Sequence, residues 1–172
     1  MKKILLLMVA VLMVANVAMA DNIGVYSDAS GTSCILAPGF SFGVVTVLHK
    51  YTLGATGSRF MLDASNAPGT SLIAFTTPYT PVGNIAVDLA LGYGGCEVGT
   101  VNLGTLTIIA ALGYMDVKAA TGFPDILYTD CAFNEKLAYG SRTWIGTPPP
   151  LATCNEVATK ASTWGQVKAL YR

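Results

Sequence analysis

The chain has 172 residues, and its 10 basic and 10 acidic side chains balance to a formal net charge of zero. Charged residues make up 12% of the sequence, half of the ~25% that is usual in globular proteins. Because no basic cluster is present to release counterions from phosphates or to meet anionic lipid, the composition excludes nucleic acid and a charged membrane surface as partners.

Residues 1–20 have the three parts of a cleaved signal peptide. Lys2 and Lys3 form a positive head, and an apolar run of twelve residues, 4–15, follows. Ala18-Met19-Ala20 then matches the small-x-small pattern that signal peptidase cuts. The apolar run is well short of the roughly 20 residues that span a bilayer. We therefore expect a chain that begins at Asp21, is exported to the periplasm or the cell exterior, and keeps no membrane span.

Residues 21–146 are expected to form one all-β domain. Runs rich in Val, Ile, Thr, Phe and Tyr alternate there with Gly, Pro, Asn and Ser. No helical stretch between them is long enough for a parallel crossover, so we predict an antiparallel two-sheet β-sandwich of eight or nine strands. The predicted strands cover 23–26, 42–51, 58–64, 72–76, 85–91, 103–111, 115–119, 126–129 and 142–145.

Side-chain alternation assigns faces to these strands. The segment 42–51 is apolar on both faces at its start, which places it in the centre of a sheet. Two other segments alternate cleanly, and their predicted inward residues are Phe60, Leu62 and Ala64, and Ile85, Val87, Leu89 and Leu91. A turn is expected between the last of these and the next strand, at Gly92-Tyr93-Gly94-Gly95.

The C-terminal residues are expected to form a linker and a helix. Residues 147–162 contain Pro148-Pro149-Pro150, which has no backbone donors for a sheet and predicts a Pro-rich linker. Residues 163–172 begin with a capping-box spacing and place Trp164, Val167, Leu170 and Tyr171 on one helix face. Ten residues are too few for a helix to persist alone in water, so this face must dock. It packs on the domain, or it is a tag that an export or assembly partner recognises.

Four cysteines, Cys34, Cys96, Cys131 and Cys154, remain after cleavage. An even number in an exported chain predicts two disulfides, whereas the absence of a Cys-x-x-Cys pair argues against a zinc site. Three connectivities are open. The short spacing favours Cys131–Cys154, which leaves Cys34–Cys96.

Several segments resemble those of a group of small exported bacterial β-sandwich proteins of uncharacterised function. They are Ile23-Gly24-Val25-Tyr26, the Val-rich strand ending in His49-Lys50, Gly92-Tyr93-Gly94, Asp130-Cys131-Ala132-Phe133-Asn134, and 162–172. The last, with the pattern Trp-Gly-x-Val-Lys-x-Leu-Tyr-Arg, is the most specific. The resemblance implies no activity and no functional residue. Residues 42–119 are also loosely similar to cohesin-type sandwiches.

Chemistry-bearing residues are few and dispersed. The single histidine, His49, lies within a strand pattern and no Gly-x-Ser-x-Gly turn accompanies it, so we expect a core or sheet-surface residue rather than a catalytic base. Asp125, Asp130 and Glu135 have no spacing that singles out a glycosidase pair. The loop at Asp28 lacks a calcium-binding pattern. We predict no catalytic residue, no metal and no cofactor.

Four aromatic residues near predicted turns are candidate ligand-facing rings: Tyr79, Tyr93, Tyr139 and Trp144. Such rings stack on sugars in many sandwiches, but they equally cover the ends of a core. Alignment of two or more of them, exposed on one face, would distinguish the two roles.

The sequence thus favours a non-catalytic exported module for binding or assembly, whose partner is a protein or a carbohydrate at the cell surface. Two alternatives remain open. Low charge and a helix that needs a docking surface are also typical of a structural subunit of an extracellular filament or coat. A hydrolase using dispersed carboxylates is the third hypothesis.

Overall fold

A computed structural model of the chain describes residues 21–37, 42–149, 154, 156 and 157. These residues form ten strands and no helix, which confirms the predicted all-β class. The strands are β1 (Asn22–Tyr26), β2 (Ile35–Leu36), β3 (Phe42–Asp63), β4 (Ser71–Thr76), β5 (Thr80–Asn84), β6 (Asp88–Ile109), β7 (Gly113–Lys118), β8 (Ile126–Asp130), β9 (Glu135–Ile145) and β10 (Glu156–Val157). Within the described ranges there is no helix that could cross a membrane.

The two longest strands, β3 and β6, have 22 residues each and form one antiparallel ribbon. It extends from Phe42 opposite Ile109 to Phe60 opposite Leu89, with several register shifts. The predicted turn at 92–95 is instead part of β6. Gly94 has a φ of 75°, a left-handed conformation that lets the strand bend without ending.

The remaining strands complete one mixed sheet. β1, β7 and β8 lie between β3 and β9, and each of them pairs with both. β1 and β2 run parallel to β9. The pairings join all ten strands, which replaces the expected pair of antiparallel sheets. The reason is strand length, because β3 pairs with four strands and β9 with five, so they connect layers that short strands would leave separate.

The apolar core lies on the inward faces of these strands, an arrangement consistent with a β-sandwich. The segment 42–51 is central, as predicted, because β3 has β1 on one edge and β6 on the other. Phe60 and Leu62 are buried, as their alternation predicts. The prediction for Val87 is wrong: it is 52% exposed. It lies in the tight β5–β6 turn, where its N–H donates to the carbonyl of Asn84.

Two disulfides are present, but their pairing differs from the one favoured by spacing. Cys34 is bonded to Cys154, and Cys96 to Cys131. Sequence proximity misled because β10 returns to pair with β9 and brings Cys154 back to the start of the domain, beside β2. The segment expected to be a linker therefore contains a disulfide and a short strand.

The signal peptide at residues 1–20 and the helix at residues 163–172, with its docking face, lie outside the described residues. Both stay predictions.

Candidate binding groove

Strand register aligns five side chains across the outer face of the sheet. In antiparallel pairs, residues directly opposite each other point to the same face. Leu137 of β9 is opposite Leu127 of β8, which is opposite Arg59 of β3. Arg59 is in turn opposite Ala90 of β6, which is opposite Val82 of β5. One row of outward side chains thus crosses five strands, with Leu137 and Val82, 61% and 67% exposed, at its ends.

Small residues occupy most of the next row of outward positions. It contains Glu135, Thr129, Gly57, Gly92 and Thr80, opposite one another in that order. Because the middle of this row has no side chains, the surface sinks into an open groove with a volume of about 720 Å³. A Cβ built on Gly92 would meet nothing within 4 Å, so this glycine forms an uncovered part of the floor.

An exposed aromatic ring stands at the rim of the groove. Phe133 lines the groove, is 80% exposed and has a φ of 63°, a strained conformation for a residue with a side chain. Its loop is fixed at both ends. The carboxylate of Asp130 accepts hydrogen bonds from the backbone N–H groups of Ala132 and Asn134, and the Cys96–Cys131 disulfide ties the loop to β6.

The hydrogen bonds in this loop also act on the acidity of Asp130. They stabilise its charged form and lower its pKa, led by the backbone N–H of Asn134. Asp130 also lies 3.8 Å from the ammonium group of Lys136. The carboxylate of Asp130 therefore stabilises the conformation of the Phe133 loop.

Arg59 supplies the charge in the middle of the groove face, and its partners neutralise it. The guanidinium donates two hydrogen bonds to the carboxylate of Asp88, and its carbon lies 3.7 Å from the centre of the Phe123 ring. The hydrogen bonds from Arg59 lower the pKa of Asp88. The groove therefore presents a planar, paired cation rather than a free charge, flanked by apolar side chains.

His49 lies in the interior, beneath the sheet, and not in the groove. It has no exposed surface; its Nδ1 is 3.0 Å from the hydroxyl of Tyr93, and its Nε2 is 3.3 Å from the Asp21 carboxylate. The ring of Tyr128 packs edge-on against the imidazole at 5.4 Å. Burial, with the hydrogen bond to Asp21, raises the pKa of Tyr128 to about 12. His49 is thus a buried core residue, without access for a substrate.

The four candidate ligand-facing aromatics do not align on one exposed face. Tyr93 is 5% exposed and faces the core, because β6 turns it toward His49. Tyr79 packs on it with ring centroids 4.9 Å apart. Trp144 lies beside Tyr114, with 5.2 Å between ring centroids. Of the four, only Tyr139 is more than a third exposed.

The carboxylates considered for catalysis or calcium are used locally. Asp28 accepts hydrogen bonds from Ser30, Thr32 and Ser33 of its own loop, which lower its pKa. Glu135 is the only carboxylate among the described residues that line the groove. Within the described part of the chain, no three His, Cys, Asp or Glu residues come close enough to hold a metal ion.

Sequence patterns did not single out the groove, although two segments quoted for the bacterial resemblance line it. Gly92 and Gly94 come from one of them, and Cys131 and Phe133 from the other. The alternation that places Phe60 and Leu62 inward puts Arg59 on the opposite face, but nothing in the sequence linked Arg59 to these segments.

Comparison with solved structures finds three cohesin modules of low similarity. A cohesin module from a Clostridium perfringens family 33 glycoside hydrolase has a TM-score of 0.49 and 9% identity, covering 74% of this chain and 97% of the module. A non-cellulosomal cohesin from the archaeon Archaeoglobus fulgidus has a TM-score of 0.49 and 13% identity, covering 74% and 92%. The seventh ScaB type I cohesin from Pseudobacteroides cellulosolvens has a TM-score of 0.44 and 13% identity, covering 79% and 98%.

These values agree with the loose cohesin-type likeness of the sequence, and they are too low to carry an argument about function. No protein-family model matches the chain, and no curated protein matches it.

Proposed function

We propose that this protein is an exported, non-catalytic binding module that holds a segment of another exported protein in the groove over β8, β3, β6 and β5. The observation that carries the proposal is the alignment of two rows across these strands. One row is open at Gly92, and the rims carry exposed apolar side chains at Val82 and Phe133. A floor without side chains lets a partner backbone approach the sheet closely.

The composition of the groove favours a protein segment over a sugar. Protein interfaces combine exposed aromatic and apolar side chains with arginine and a polar rim. Phe133, Val82 and Arg59 supply the first set, and Thr129 and Glu135 supply the rim. A sugar site would align several aromatic faces, and the four candidate rings do not align.

Among the described residues that line the groove, Glu135 is the only carboxylate, so the groove lacks a carboxylate pair, which favours a binding role over catalysis. His49 is completely buried, and a general base must reach its substrate within hydrogen-bond distance. Asp88 and Asp130 are held by Arg59 and by backbone N–H groups. The two disulfides, which form and persist in oxidising compartments, support export.

To test the proposal, the envelope and secreted protein fractions are passed over the immobilised wild type and four immobilised variants. The proteins that each one retains are then compared. Gly92→Glu fills the open floor and Phe133→Ala removes the rim ring, so both should lose a protein that the wild type retains. Gly92→Ala is the matched control for the backbone at that position. Val44→Asp is the control for an exposed apolar residue, 58% exposed and not among those lining the groove.

The supporting result is a single protein whose purified form binds the wild type and both controls, and binds Gly92→Glu at least tenfold more weakly. Equal binding by all four variants would overturn the assignment of the groove. Turnover of a polysaccharide or ester that disappears on replacing one acid would revive the hydrolase hypothesis.

A second surface favours the alternative of a structural subunit. Phe42 and Val44 of β3, Ile73 of β4 and Ile109 of β6 are about half exposed or more. Phe42 is directly opposite Ile109 and two residues from Val44 on the same strand, so these three side chains lie together on one face, as apolar side chains do at protein contacts. Light scattering tests this: a subunit would assemble at high concentration and Val44→Asp would prevent it, whereas a monomer at all concentrations would contradict it.

A further inference from the structure

The last described strand fixes where the C-terminal segment begins and the direction in which it starts. In β10, Glu156 is opposite Ser141 and Val157 is opposite Gly140, antiparallel to β9. The Cys34–Cys154 disulfide holds the chain just before this strand. A chain that continues in the direction of β10 therefore runs back along β9, from Gly140 toward Glu135.

An apolar surface without a cover among the described residues lies in that direction. Leu137 is 61% exposed and Tyr139 is 39% exposed. They are two residues apart on β9, so their side chains share a face. In the described part of the chain, the stretch 135–138 is paired on one edge only, with β8.

The length of the remaining segment matches this surface. Residues 158–162 can span roughly 17 Å when extended, and the predicted helix 163–172 would be about 15 Å long. The distance along β9 from Gly140 to Glu135 is about 17 Å. A helix at 163–172 would therefore be close enough and long enough to cover the surface around Leu137.

Chemistry also matches between the segment and the surface. The helix has the apolar face predicted above, and Leu137 and Tyr139 offer apolar area to bury. The segment carries Lys160, Lys168 and Arg172 and no acidic side chain. The exposed acidic residue nearest to Leu137 on the same face of β9 is Glu135. Opposite charges at the edge of an apolar contact favour docking of this segment beside Glu135.

We infer that residues 163–172 of this chain dock as a helix on the outer face of β9, over Leu137 and Tyr139. Attachment through β10 keeps the segment at a high effective concentration there, which favours the same molecule over a second copy.

The test uses the fluorescence of Trp164 in the full expressed chain. The protein has two tryptophans, and Trp144→Phe leaves Trp164 as the sole reporter while keeping a ring beside Tyr114. In that background we expect blue-shifted emission and weak quenching by acrylamide. Leu137→Asp should shift the emission to the red and raise quenching several-fold. Val44→Asp, which changes an exposed apolar residue on β3, should leave both unchanged.

Solvent-like emission before any further substitution would overturn the inference, as would emission that Leu137→Asp does not change. A dependence of the emission on protein concentration would also overturn it, because it would place the segment on a second copy. Tyr139→Ser, with an unchanged melting curve, provides the second variant if Leu137→Asp fails to fold. The outcome is independent of the proposed function, which is tested by Gly92→Glu and a partner.

Discussion

The hydroxyl oxygen of Tyr93 lies 3.0 Å from Nδ1 of His49, in the interior between β3 and β6. The two residues come from the two strands of the long ribbon, in a stretch where their register shifts. Both side chains are almost fully buried, so the contact ties the ribbon together where regular pairing is interrupted. Because this contact lies in the core, we expect it to contribute to stability and not to binding.

Tyr93→Phe tests this separation of roles. The substitution keeps the ring and removes the hydroxyl, leaving a buried imidazole nitrogen without its partner. We expect a loss of about 1–2 kcal/mol in the free energy of unfolding, measured by urea denaturation. Binding through the groove should be unchanged, because Tyr93 does not line it. A variant with unchanged stability would show that the contact contributes nothing.

Two arginine–aspartate pairs should differ strongly in their contribution. Arg142 donates two hydrogen bonds to Asp116, which is 4% exposed. Arg59 makes a similar pair with Asp88, but both side chains are about one third exposed, at 37% and 33%. Arg142→Met strands a buried carboxylate and should cost about 3 kcal/mol. Arg59→Met should cost clearly less in the same thermal or urea titration, because solvent screens the pair. Equal losses would contradict this account of burial.

The two disulfides should contribute separately to stability. The chain-entropy model assigns about 4 kcal/mol to the 35-residue Cys96–Cys131 loop and about 5 kcal/mol to the 120-residue Cys34–Cys154 loop. Replacing both cysteines of a pair by alanine removes one bond without leaving a free thiol. Each double variant should melt at a lower temperature than the wild type. Adding reductant to a double variant should lower its melting temperature further, because the remaining disulfide is then reduced. A melting curve insensitive to reductant would argue against both bonds.

Asp130 links the acidity of the medium to the Phe133 loop. Its backbone hydrogen bonds lower its pKa below the ordinary value of 3.8. A carboxyl group with a depressed folded pKa contributes stability that is present above the unfolded value and is lost as the pH falls through the folded one. Loop stability should thus be constant from neutral pH to about pH 4 and decline below it. Asp130→Ala should show less of this decline and weaker partner binding at pH 7. Hydrogen exchange of the Asn134 amide measures the loop directly.

Two glycines that lie opposite each other on neighbouring strands of the groove floor should respond differently to alanine. A Cβ on Gly57 would lie 2.6 Å from the backbone oxygen of Leu91, whereas a Cβ on Gly92 would meet nothing within 4 Å. Because backbone cannot move aside cheaply, Gly57→Ala should cost about 1–3 kcal/mol, and Gly92→Ala should be close to neutral. Urea denaturation of the pair distinguishes them, and similar losses would contradict the described floor.

Sequence patterns predicted the local structure well where one face of a strand is buried. Phe60 and Leu62 point inward and Arg59 outward because a period of two survives in that stretch of β3. The pattern failed at Val87, where the tight turn overrides alternation, and at 92–95, where glycines bend a strand that they were expected to end. Glycine marks both turns and bulges, so composition alone cannot distinguish them.

Long-range features were beyond the sequence for a physical reason. The pairing of Cys34 with Cys154 depends on β10 returning to β9, and two residues carry no signal for that register. The groove depends on the alignment of Leu127, Arg59 and Ala90 across three strands, which one residue of slippage would destroy. The segments quoted for the bacterial resemblance contain Gly92 and Phe133, but nothing in the sequence indicated that both line one groove.

Photo-crosslinking in the exporting cell shows which surface of the domain contacts the partner. A photoreactive amino acid is placed at position 133, on the rim of the groove, and in a second strain at position 44, away from it. We expect an adduct with one exported protein from position 133, abolished by Gly92→Glu, and none with that protein from position 44. Crosslinking of the same protein from position 44 and not from position 133 would contradict the assignment of the groove.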